Sequence, residues 1–307
     1  MRKTWHVRIP ATTANLGAGF DSLGMALTIY NDFYFTADSQ VDTITVTVSG
    51  KGEGTLSGDF SRNLIGRAMQ YAATAKHTAL PSGGHLRAVN RIPLNRGLGS
   101  SSTAIVGGLL LGDAVTEGSL STQELLDLAT LMEGHPDNVA PAILGGLTVS
   151  IQENKRIFCQ KLPFPEALQA VVVVPEAEVP TAAARKVLPK QVPHAAAVYN
   201  AGRVGFFLAS LWAQQYDQLQ YGMQDMLHVP YRLPLIPGGK EALQAALAAG
   251  AKGATISGSG STLIAIATAN APQIAAAMAA VFASYHIRTE SHILHCDEEG
   301  ARISTVV

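Results

Sequence analysis

A Gly/Ser-rich segment near residue 100 contains the residue types that bind phosphate groups. Residues 97–102 have the sequence GLGSSS and continue without a break into the apolar residues 103–111, which are typical of a helix. Glycines let a ligand approach the backbone closely, and a helix N-terminus carries unpaired N–H groups with about half a positive charge. The alternative is a serine N-cap on a core helix, although one cap does not require three serines. The segment therefore predicts a phosphate site.

This segment does not match either of the two common phosphate-binding motifs. No lysine follows Gly99 as a P-loop requires, and Ser102 occupies the position of the third glycine in the dinucleotide-binding motif. Bound phosphates would have to be neutralised by backbone N–H groups, serine hydroxyls, Arg96 and a divalent cation. The sequence therefore predicts a magnesium-binding carboxylate elsewhere in the chain.

Two carboxylates near the end of one predicted helix are candidates for that role. Residues 121–124, STQE, form a capping box, which predicts a helix that ends at Glu133. Pro136 then predicts an extended turn that places Asp137 and Asn138 within a few residues of Glu133. Carboxylates at a loop edge are usually only solvated. The need for a magnesium ligand is what favours a functional role here.

Other polar residues occur in segments that are otherwise small or apolar. Residues 11–21, ATTANLGAGFD, predict a loop in which Asn15 and Asp21 hold an amine or a hydroxyl, with an Asx-turn as the alternative. Arg185 in a short helical segment and Arg232 in a loop are candidate cations, although a single arginine is more often a surface residue. A second Gly/Ser loop, ISGSG at residues 256–260, joins two predicted strands.

The composition indicates a folded protein of two lobes. Of 307 residues, 47% are hydrophobic and 15% are charged, so the chain can bury a large core. A formal net charge of -1 without runs of like charge argues against nucleic acid or an anionic membrane as partner. Cys159 and Cys296 are too few for a disulfide framework. The basic N-terminus lacks a following apolar segment, and the apolar helix reaches Asp113 too early to span a membrane, so we expect a cytoplasmic protein.

Residue patterns predict strands and helices along the whole chain. Strands are predicted over residues 7–10, 41–48, 85–92, 147–151, 170–174 and 287–295, and on either side of the turn at residues 256–260. Helices are predicted over residues 59–73, 122–133, 241–249 and 272–285. The composition changes at residues 163–165, PFP, which predicts an N-terminal lobe of residues 1–162 and a C-terminal lobe of residues 163–307.

The two Gly/Ser loops resemble motifs of the GHMP kinases. Residues 93–101, PLNRGLGSS, resemble the central motif of that superfamily, and residues 256–260 resemble its C-terminal motif. Within the superfamily the chain is most similar to the homoserine kinases, and the similarity lies in residues 11–21, 133–146, 180–189 and 230–238. Because these segments span nearly the whole chain in the family's order, the resemblance is specific.

The resemblance implies an α+β fold of two lobes with the active site between them. It implies an N-terminal lobe with a left-handed β-α-β unit, against the usual right-handed preference, and a ferredoxin-like C-terminal lobe. It also implies ATP-dependent phosphorylation of the hydroxyl of L-homoserine in threonine biosynthesis, with ATP and Mg²⁺ as cofactors. We expect no nucleic-acid or membrane partner. For assembly, a homodimer is one expectation.

The resemblance also implies roles for individual residues. The nucleotide is expected to contact Asn63, Pro93, Arg96, Gly97, Leu98, Gly99, Ser100, Ser101, Ser102 and Thr103, with Asn63 near the base. The amino-acid substrate is expected to contact Asn15, Asp21, Asn138, Thr181, Arg185, Arg232 and Gly258. Mg²⁺ is expected on Glu133 and on the hydroxyl of Ser101, with Ser100 as the alternative.

Asp137 is expected beside the transferred phosphoryl group. It accepts the hydroxyl proton as a base, or it orients the substrate through Asn138, and the sequence leaves both open. Another small-alcohol kinase of the same superfamily, acting on mevalonate or shikimate, is the nearest alternative function. A non-catalytic nucleotide or metabolite sensor is the alternative from a different class. The presence of both Glu133 and Asp137 favours the enzyme over the sensor.

Overall fold

A computed structural model describes residues 3–306 and contains eleven strands within them. In chain order these are β1 Thr4–Ala14, β2 Leu23–Ala37, β3 Ile44–Gly50, β4 Gly84–Asn90, β5 Leu147–Glu153, β6 Arg156–Leu162, β7 Gln169–Pro175, β8 Gly253–Ile256, β9 Leu263–Ala267, β10 Thr289–Leu294 and β11 Arg302–Val306. They form two sheets. The seven-stranded sheet contains β1 to β6 and β11, and the four-stranded sheet contains β7 to β10.

The helices over the same residues divide between the two sheets. They are α1 Leu64–Ala75, α2 Ser100–Val115, α3 Thr122–Glu133, α4 Pro136–Leu144, α5 Thr181–Lys186, α6 His194–Trp212, α7 Leu219–Gly222, α8 Val229–Arg232, α9 Gly239–Ala248 and α10 Ala271–Ser284. Helices α1 to α4 share a buried apolar core with the seven-stranded sheet. Helices α9 and α10 share another with the four-stranded sheet.

The seven-stranded sheet is built around β2, the longest strand. β2 pairs with β1 along one edge, and its other edge pairs with β4 and with β5. β3 and β4 run parallel and are joined through α1, so these three elements form the β-α-β unit of this lobe. The last strand, β11, returns from the C-terminal part of the chain and pairs with β1.

The four-stranded sheet has the strand order of a ferredoxin-like lobe. Its order is β10-β7-β9-β8, and all three pairs are antiparallel. Helices α5 to α9 lie between β7 and β8 in the chain, and α10 lies between β9 and β10. This is the β-α-β-β-α-β sequence of a ferredoxin-like fold with additional helices in the first connection. The predicted ferredoxin-like architecture of the C-terminal lobe is therefore confirmed.

A third apolar core joins the two sheets. Leu23 and Met25 of β2 are buried together with Val172 of β7 and Ile264 of β9. Burial of this kind stabilises the arrangement of the two lobes because apolar surface from both is removed from water. The boundary at residue 162 stays a prediction. Residues 302–306 lie beyond that boundary in the sequence, but they pair with the seven-stranded sheet.

Several predicted elements agree with the structure closely, and others do not. Helix 122–133 and its capping box are confirmed: the Ser121 side chain accepts a hydrogen bond from the Glu124 N–H. Residues 11–14 were expected in a loop, but they belong to β1, which pairs with β2 through Ala14. The 15 residues of β2 were not predicted, because much of this central strand is buried on both faces and lacks the alternation of a half-buried strand.

The extended turn predicted at residues 135–138 is wrong beyond its first residue. His135 has extended dihedral angles, φ -158 and ψ 149, but Pro136 begins helix α4. Proline is favoured at the first helical position, since its missing N–H would have no partner inside the helix. Asp137 therefore lies in the first turn of a helix, where the helix dipole stabilises a carboxylate.

Within residues 3–306, no helix combines the length and the hydropathy that a membrane span requires.

Candidate active site

Most of the predicted site residues line one cleft. From the predicted set it contains Asn15, Asp21, Arg96, Gly97, Leu98, Gly99, Ser100, Ser101, Glu133, Asp137, Asn138, Thr181, Arg185, Arg232 and Gly258. These residues come from segments far apart in the sequence. We call residues 97–101 with Glu133 the phosphate side of the cleft, and Asn15, Asp21, Asp137, Arg185 and Arg232 the amino-acid side.

Four predicted residues lie elsewhere. Ser102 and Thr103 are fully buried in the first turn of α2. Pro93 lines a separate groove together with residues 174–178 of the other lobe. Asn63 lines a neighbouring pocket that shares Asn95, Ser100 and Ser101 with the cleft.

The Asn63 amide already has partners in the protein. Its oxygen accepts from the Ile65 N–H at 3.0 Å and so caps α1, while its nitrogen donates to the Ser57 carbonyl at 2.8 Å. The neighbouring pocket also contains apolar side chains such as Leu56, Leu64 and Leu94, together with polar residues that include Asn31 and Asn90. A flat aromatic group fits such a surface.

The N-terminus of α2 opens onto the phosphate side. Its N-cap, Gly99, is in the left-handed conformation, with φ 69, and among the described residues no side chain caps the helix. The first N–H groups of an α-helix have no partner within the helix. An uncapped N-terminus in a cleft is a site for an anion.

Each glycine of this loop packs against another segment. A Cβ on Gly97 would lie 2.1 Å from the Ser257 carbonyl oxygen, and one on Gly99 would lie 2.0 Å from Thr12 Oγ1. The Ser257 hydroxyl also donates to the Gly97 carbonyl at 2.6 Å. The two Gly/Ser loops predicted from the sequence therefore contact each other.

Glu133 connects α3 to the first turn of α2. Glu133 is the last residue of α3, which ends at Gly134 with φ 95, and its two oxygens accept from the hydroxyls of Ser101 and Ser102, each at 3.0 Å. A carboxylate and a hydroxyl that both reach the cleft are the hard oxygen ligands that Mg²⁺ prefers. The Glu133 and Ser101 pair therefore fits the predicted metal.

Arg96 contributes less free charge than the sequence suggested. Its Nη2 donates to the Glu176 carbonyl at 2.5 Å, and its Nη1 lies 3.4 Å from Glu178 Oε1. Both partners belong to the segment after β7, so Arg96 ties the Gly/Ser loop to the second lobe. Its guanidinium is partly neutralised before any ligand binds.

On the amino-acid side, Asp21 and Arg185 bind each other. The guanidinium donates to both carboxylate oxygens, at 3.1 and 2.8 Å. Burial disfavours the charged guanidinium, but the hydrogen bond and charge of Asp21 raise the pKa of Arg185 above its ordinary value. From the sequence, Asp21 was expected to hold an amine or a hydroxyl, and Arg185 was a separate candidate cation. In the structure they form one bidentate pair.

Asn15 fixes the loop that carries Asp21. Asn15 has φ 72 and Asp21 has φ 56, a region that asparagine and aspartate enter more readily than most residues. The Asn15 oxygen accepts from the Asp21 N–H at 3.0 Å, and its nitrogen donates to the Gly258 carbonyl at 3.0 Å. The bond to the Asp21 N–H spans six residues, so it is not the Asx-turn given as the alternative, and Asp21 is paired with Arg185.

Arg232 is a buried cation without an anionic partner among residues 3–306. Only 2% of the residue is exposed, and its hydrogen bonds are to the carbonyls of Ala184 and Gly258, at 3.2 and 3.0 Å, and to His228. Burial and the charge of Arg185 lower the pKa of Arg232. A buried charge without a counter-ion is costly, so this arrangement favours an anionic ligand.

Asp137 is buried at the base of the cleft. Its Oδ1 lies 2.5 Å from His135 Nδ1 and accepts from Asn138 Nδ2 at 3.3 Å. Burial disfavours protonated His135, but the hydrogen bond and charge of Asp137, with the charge of Glu133, raise the pKa of His135. Asn138 also accepts a hydrogen bond from Thr12 at 2.9 Å. His135 was not predicted, and its position between the carboxylates was the only available signal.

One atom each of Asp21, His135 and Asp137 lies within 4.8 Å of the others. Such a cluster has the composition of a metal site. However, Asp21 is already paired with Arg185, and Asp137 with His135. The nearby guanidinium repels a dication, whereas a singly charged ammonium needs only one or two carboxylates.

Comparison with known proteins identifies the family. The GHMP kinases N terminal domain model matches residues 63–146, and the GHMP kinases C terminal model matches residues 209–284. A homoserine kinase of Persephonella marina is 40% identical over 301 residues, covering 98% of both chains. A homoserine kinase of Moorella thermoacetica is 45% identical over 277 residues, covering 90% of this chain and 92% of the relative.

The chain belongs to the homoserine kinase family of the GHMP kinases. The crystal structure of homoserine kinase from Cytophaga hutchinsonii is similar to it with a TM-score of 0.88 and 30% identity, over 98% of this chain and 97% of that one. The predicted GHMP kinase fold is therefore confirmed. As a member of the homoserine kinase family, the chain is an enzyme, and its kinase class implies ATP and a small-molecule acceptor.

Proposed function

We propose that this chain transfers the γ-phosphoryl group of ATP to the side-chain hydroxyl of L-homoserine, forming O-phospho-L-homoserine for threonine biosynthesis in the cytoplasm. The observation that carries the proposal is Arg232, a buried cation without an anionic partner among the described residues. It lines the same cleft as the uncapped α2 N-terminus. An acceptor with its own carboxylate would complete this site.

ATP is placed with its phosphates at the α2 N-terminus and its base in the neighbouring apolar pocket. The loop N–H groups and the hydroxyl of Ser100 donate to the phosphate oxygens. Mg²⁺ would be held by Glu133 and Ser101, and it would neutralise charge on those oxygens. The pocket that contains Asn63 adjoins the cleft at Asn95, which gives the nucleotide a continuous path.

Homoserine is placed with its charged groups on the amino-acid side. Arg232 binds the carboxylate, and a guanidinium can do so through two parallel hydrogen bonds. Asp21 and Asp137 are the anions available to the ammonium. Arg185 is a weaker candidate for the carboxylate than Arg232, because its fork is already occupied by Asp21.

Asp137 orients the reacting hydroxyl in this arrangement. Its Oδ1 is occupied by His135 and Asn138, which leaves Oδ2 to accept a hydrogen bond from the substrate. Phosphoryl transfer depends mainly on alignment and on stabilising charge on the oxygens, so positioning by Asp137 is sufficient for the role. Asn138 supports this position through its bond to Thr12.

A panel of alcohols incubated with Mg-ATP and assayed for ADP tests the proposal. Homoserine is compared with an amino alcohol that lacks only the carboxylate and with a hydroxy acid that lacks only the ammonium. We expect both analogues to be poorer substrates, because the first leaves Arg232 without a counter-ion and the second loses the contact of the ammonium with Asp21 and Asp137. Equal turnover of homoserine and the amino alcohol would point to a kinase of neutral alcohols. Absence of ADP with every alcohol would point to a sensor.

A further inference from the structure

His228 lies beneath the amino-acid side and contacts two of its segments. The side chain is 0% exposed. Its Nε2 lies 2.8 Å from the Gly17 carbonyl oxygen, and its Nδ1 lies 3.4 Å from Arg232 Nη1. Its ring stacks on Phe20 at 5.1 Å between centroids. One imidazole therefore joins the loop that carries Asp21 to the arginine of the proposed carboxylate site.

The partners fix the protonation state of this imidazole. A carbonyl oxygen only accepts, so Nε2 carries the hydrogen, and a guanidinium only donates, so Nδ1 offers its lone pair. The ring is thus the neutral Nε2–H tautomer. Burial lowers the pKa of His228, in agreement with this geometry.

Within residues 3–306, Asp225 is the carboxylate that approaches this ring to within 4 Å, with Oδ2 3.8 Å from Nε2, and the charge of Asp21 also acts on the ring. The hydrogen bonds of Asp225 are to other groups. It accepts from the N–H groups of Leu227, His228 and Val229, at 3.1, 2.8 and 2.7 Å. Asn200 donates to Asp225 at 2.6 Å and to the Ala18 carbonyl at 3.1 Å. Asp225 therefore holds the start of α8 in place, and with it the backbone of His228.

The contact with His228 completes the set of acceptors around Arg232. Arg232 Nε donates to the Ala184 carbonyl, and Arg232 Nη1 is directed at both the Gly258 carbonyl and His228 Nδ1. Phe20 packs against the same guanidinium, with its ring centroid 5.1 Å from the central carbon. These contacts occupy one edge and one face, which leaves Nη2 for a ligand in the cleft.

We propose that His228 is a positioning residue. It holds the Arg232 guanidinium in a fixed position relative to the loop of residues 15–21 and so determines the affinity for the substrate carboxylate. The inference rests on the proposed function. It assigns to His228 no contact with substrate. The residue acts through the two nitrogen contacts, and the two can be removed separately.

Three variants separate these contacts. His228→Asn keeps an acceptor near the Nδ1 position, His228→Gln keeps a donor near the Nε2 position, and His228→Phe removes both while it keeps a ring against Phe20. Tyr231→Phe, on the same short helix, is the control, because the Tyr231 hydroxyl makes no hydrogen bond within residues 3–306. Melting temperatures show which variants are folded.

For His228→Phe we expect the homoserine KM to rise about tenfold, with the ATP KM changed by less than about twofold. Turnover of the amino alcohol without a carboxylate should differ little between the variant and the unmutated chain. His228→Asn should retain more homoserine affinity than His228→Gln, because only the former keeps the contact with Arg232. A double variant with Arg232→Lys should lose less than the two single losses combined.

The inference would be overturned if His228→Phe impaired the reactions of homoserine and the amino alcohol equally. It would also be overturned if His228→Gln retained more homoserine affinity than His228→Asn. If His228→Phe fails to fold, the Asn and Gln pair still decides it. Failure of the proposed function is a separate result, since it would appear as absence of homoserine phosphorylation by the unmutated chain.

Discussion

The phosphate side and the amino-acid side of the cleft arrange charge differently. The phosphate side uses backbone N–H groups, serine hydroxyls and Glu133, and its nearest cation, Arg96, is partly neutralised by Glu178. The amino-acid side contains two arginines and two aspartates, and of these Arg232 alone makes no ion pair within the described residues. The first side therefore needs an external cation to bind a polyanion, whereas the second needs an external anion.

This difference follows from the chemistry of the two proposed ligands. ATP carries several negative charges on one group, and a divalent cation with neutral donors can match them without permanent positive charge in the protein. Homoserine carries one charge of each sign on neighbouring atoms. Fixed side chains can distinguish these charges only when each is held apart from the other. Variants on each side should therefore fail in different ways.

The largest effect is expected from Glu133→Gln. A neutral amide is a poor ligand for a hard cation, so kcat/KM should fall by about three orders of magnitude at fixed magnesium. The fold should be retained, since the amide oxygen still accepts from one of the two serine hydroxyls and the amide nitrogen can donate to the other. Steady-state kinetics over a magnesium titration checks this, with partial recovery expected at high magnesium. Glu153→Gln, an exposed carboxylate on the same lobe, is the control.

Turnover of Glu133→Gln near that of the unmutated chain would remove Glu133 from the metal site. The residues that define the phosphate side include no other carboxylate that could bind Mg²⁺. The contrast drawn between the two sides of the cleft would then be wrong for the phosphate side.

Asp32 provides a test of paired charge outside the cleft. It is buried and binds Arg8, Arg91 and His6, at 2.9, 2.6 and 2.7 Å. Burial alone would raise the pKa of Asp32, but these partners lower it to about 2, from an ordinary value of 3.8. The ion cluster therefore stabilises the fold above about pH 4, and this contribution is lost as the pH falls towards about 2.

Asp32→Asn should lower the free energy of unfolding at neutral pH by roughly 2 kcal/mol. The loss of stability between about pH 4 and pH 2 should be smaller in the variant. Urea unfolding at several pH values measures both. Kinetic constants for both substrates should be unchanged, and a raised homoserine KM would show that structural and substrate-binding charges are not separate.

Gly99→Ala should affect both sides of the cleft. The added Cβ would overlap Thr12 Oγ1, whose hydrogen bond supports Asn138, and φ 69 disfavours any side chain. We expect a loss of about 2 kcal/mol in stability and a raised KM for ATP and for homoserine. Gly54→Ala is the matched control: Gly54 has φ 72 but no atom within 4 Å of the added Cβ. Equal losses for both variants would show that backbone strain, not the contact with Thr12, is responsible.

The Gly/Ser loop of the phosphate side could be predicted from local sequence because its residues are contiguous. Two glycines, three serines and an apolar helix occur within residues 97–111, and the helix N-terminus is where they indicate it. Local sequence could not show why residue 99 has to be a glycine. Its close neighbour is Thr12, which is remote in the sequence and was expected in a loop, not in β1.

The amino-acid side could be predicted only through the family resemblance. Asn15, Asp137, Arg185 and Arg232 occur in four separate segments, and each has an ordinary alternative when taken alone. Which charges pair depends on the packing of two lobes, so the Asp21 and Arg185 pair was not foreseen. His228 was not singled out either, because one histidine before a proline-containing turn carries no local signal.

The smallest effect, and the one that best tests the amino-acid side, is expected from Arg232→Lys. The substitution keeps the charge but removes the planar fork, so lysine cannot donate to Ala184, Gly258 and a carboxylate in the same geometry. The homoserine KM should rise at least about tenfold, equivalent to about 1.4 kcal/mol, while the ATP KM changes little. Lost alignment should also reduce kcat.

The amino alcohol without a carboxylate supplies the control for Arg232→Lys. It has no group for Arg232 to bind, so the unmutated chain and the variant should turn it over at similar rates. If the variant instead weakens ATP and homoserine equally, Arg232 supports the cleft as a whole and does not bind the carboxylate. If the unmutated chain phosphorylates the amino alcohol as efficiently as homoserine, the buried positive charge of Arg232 binds another anion. The contrast between the two sides would then rest on Asp21 and Asp137 alone.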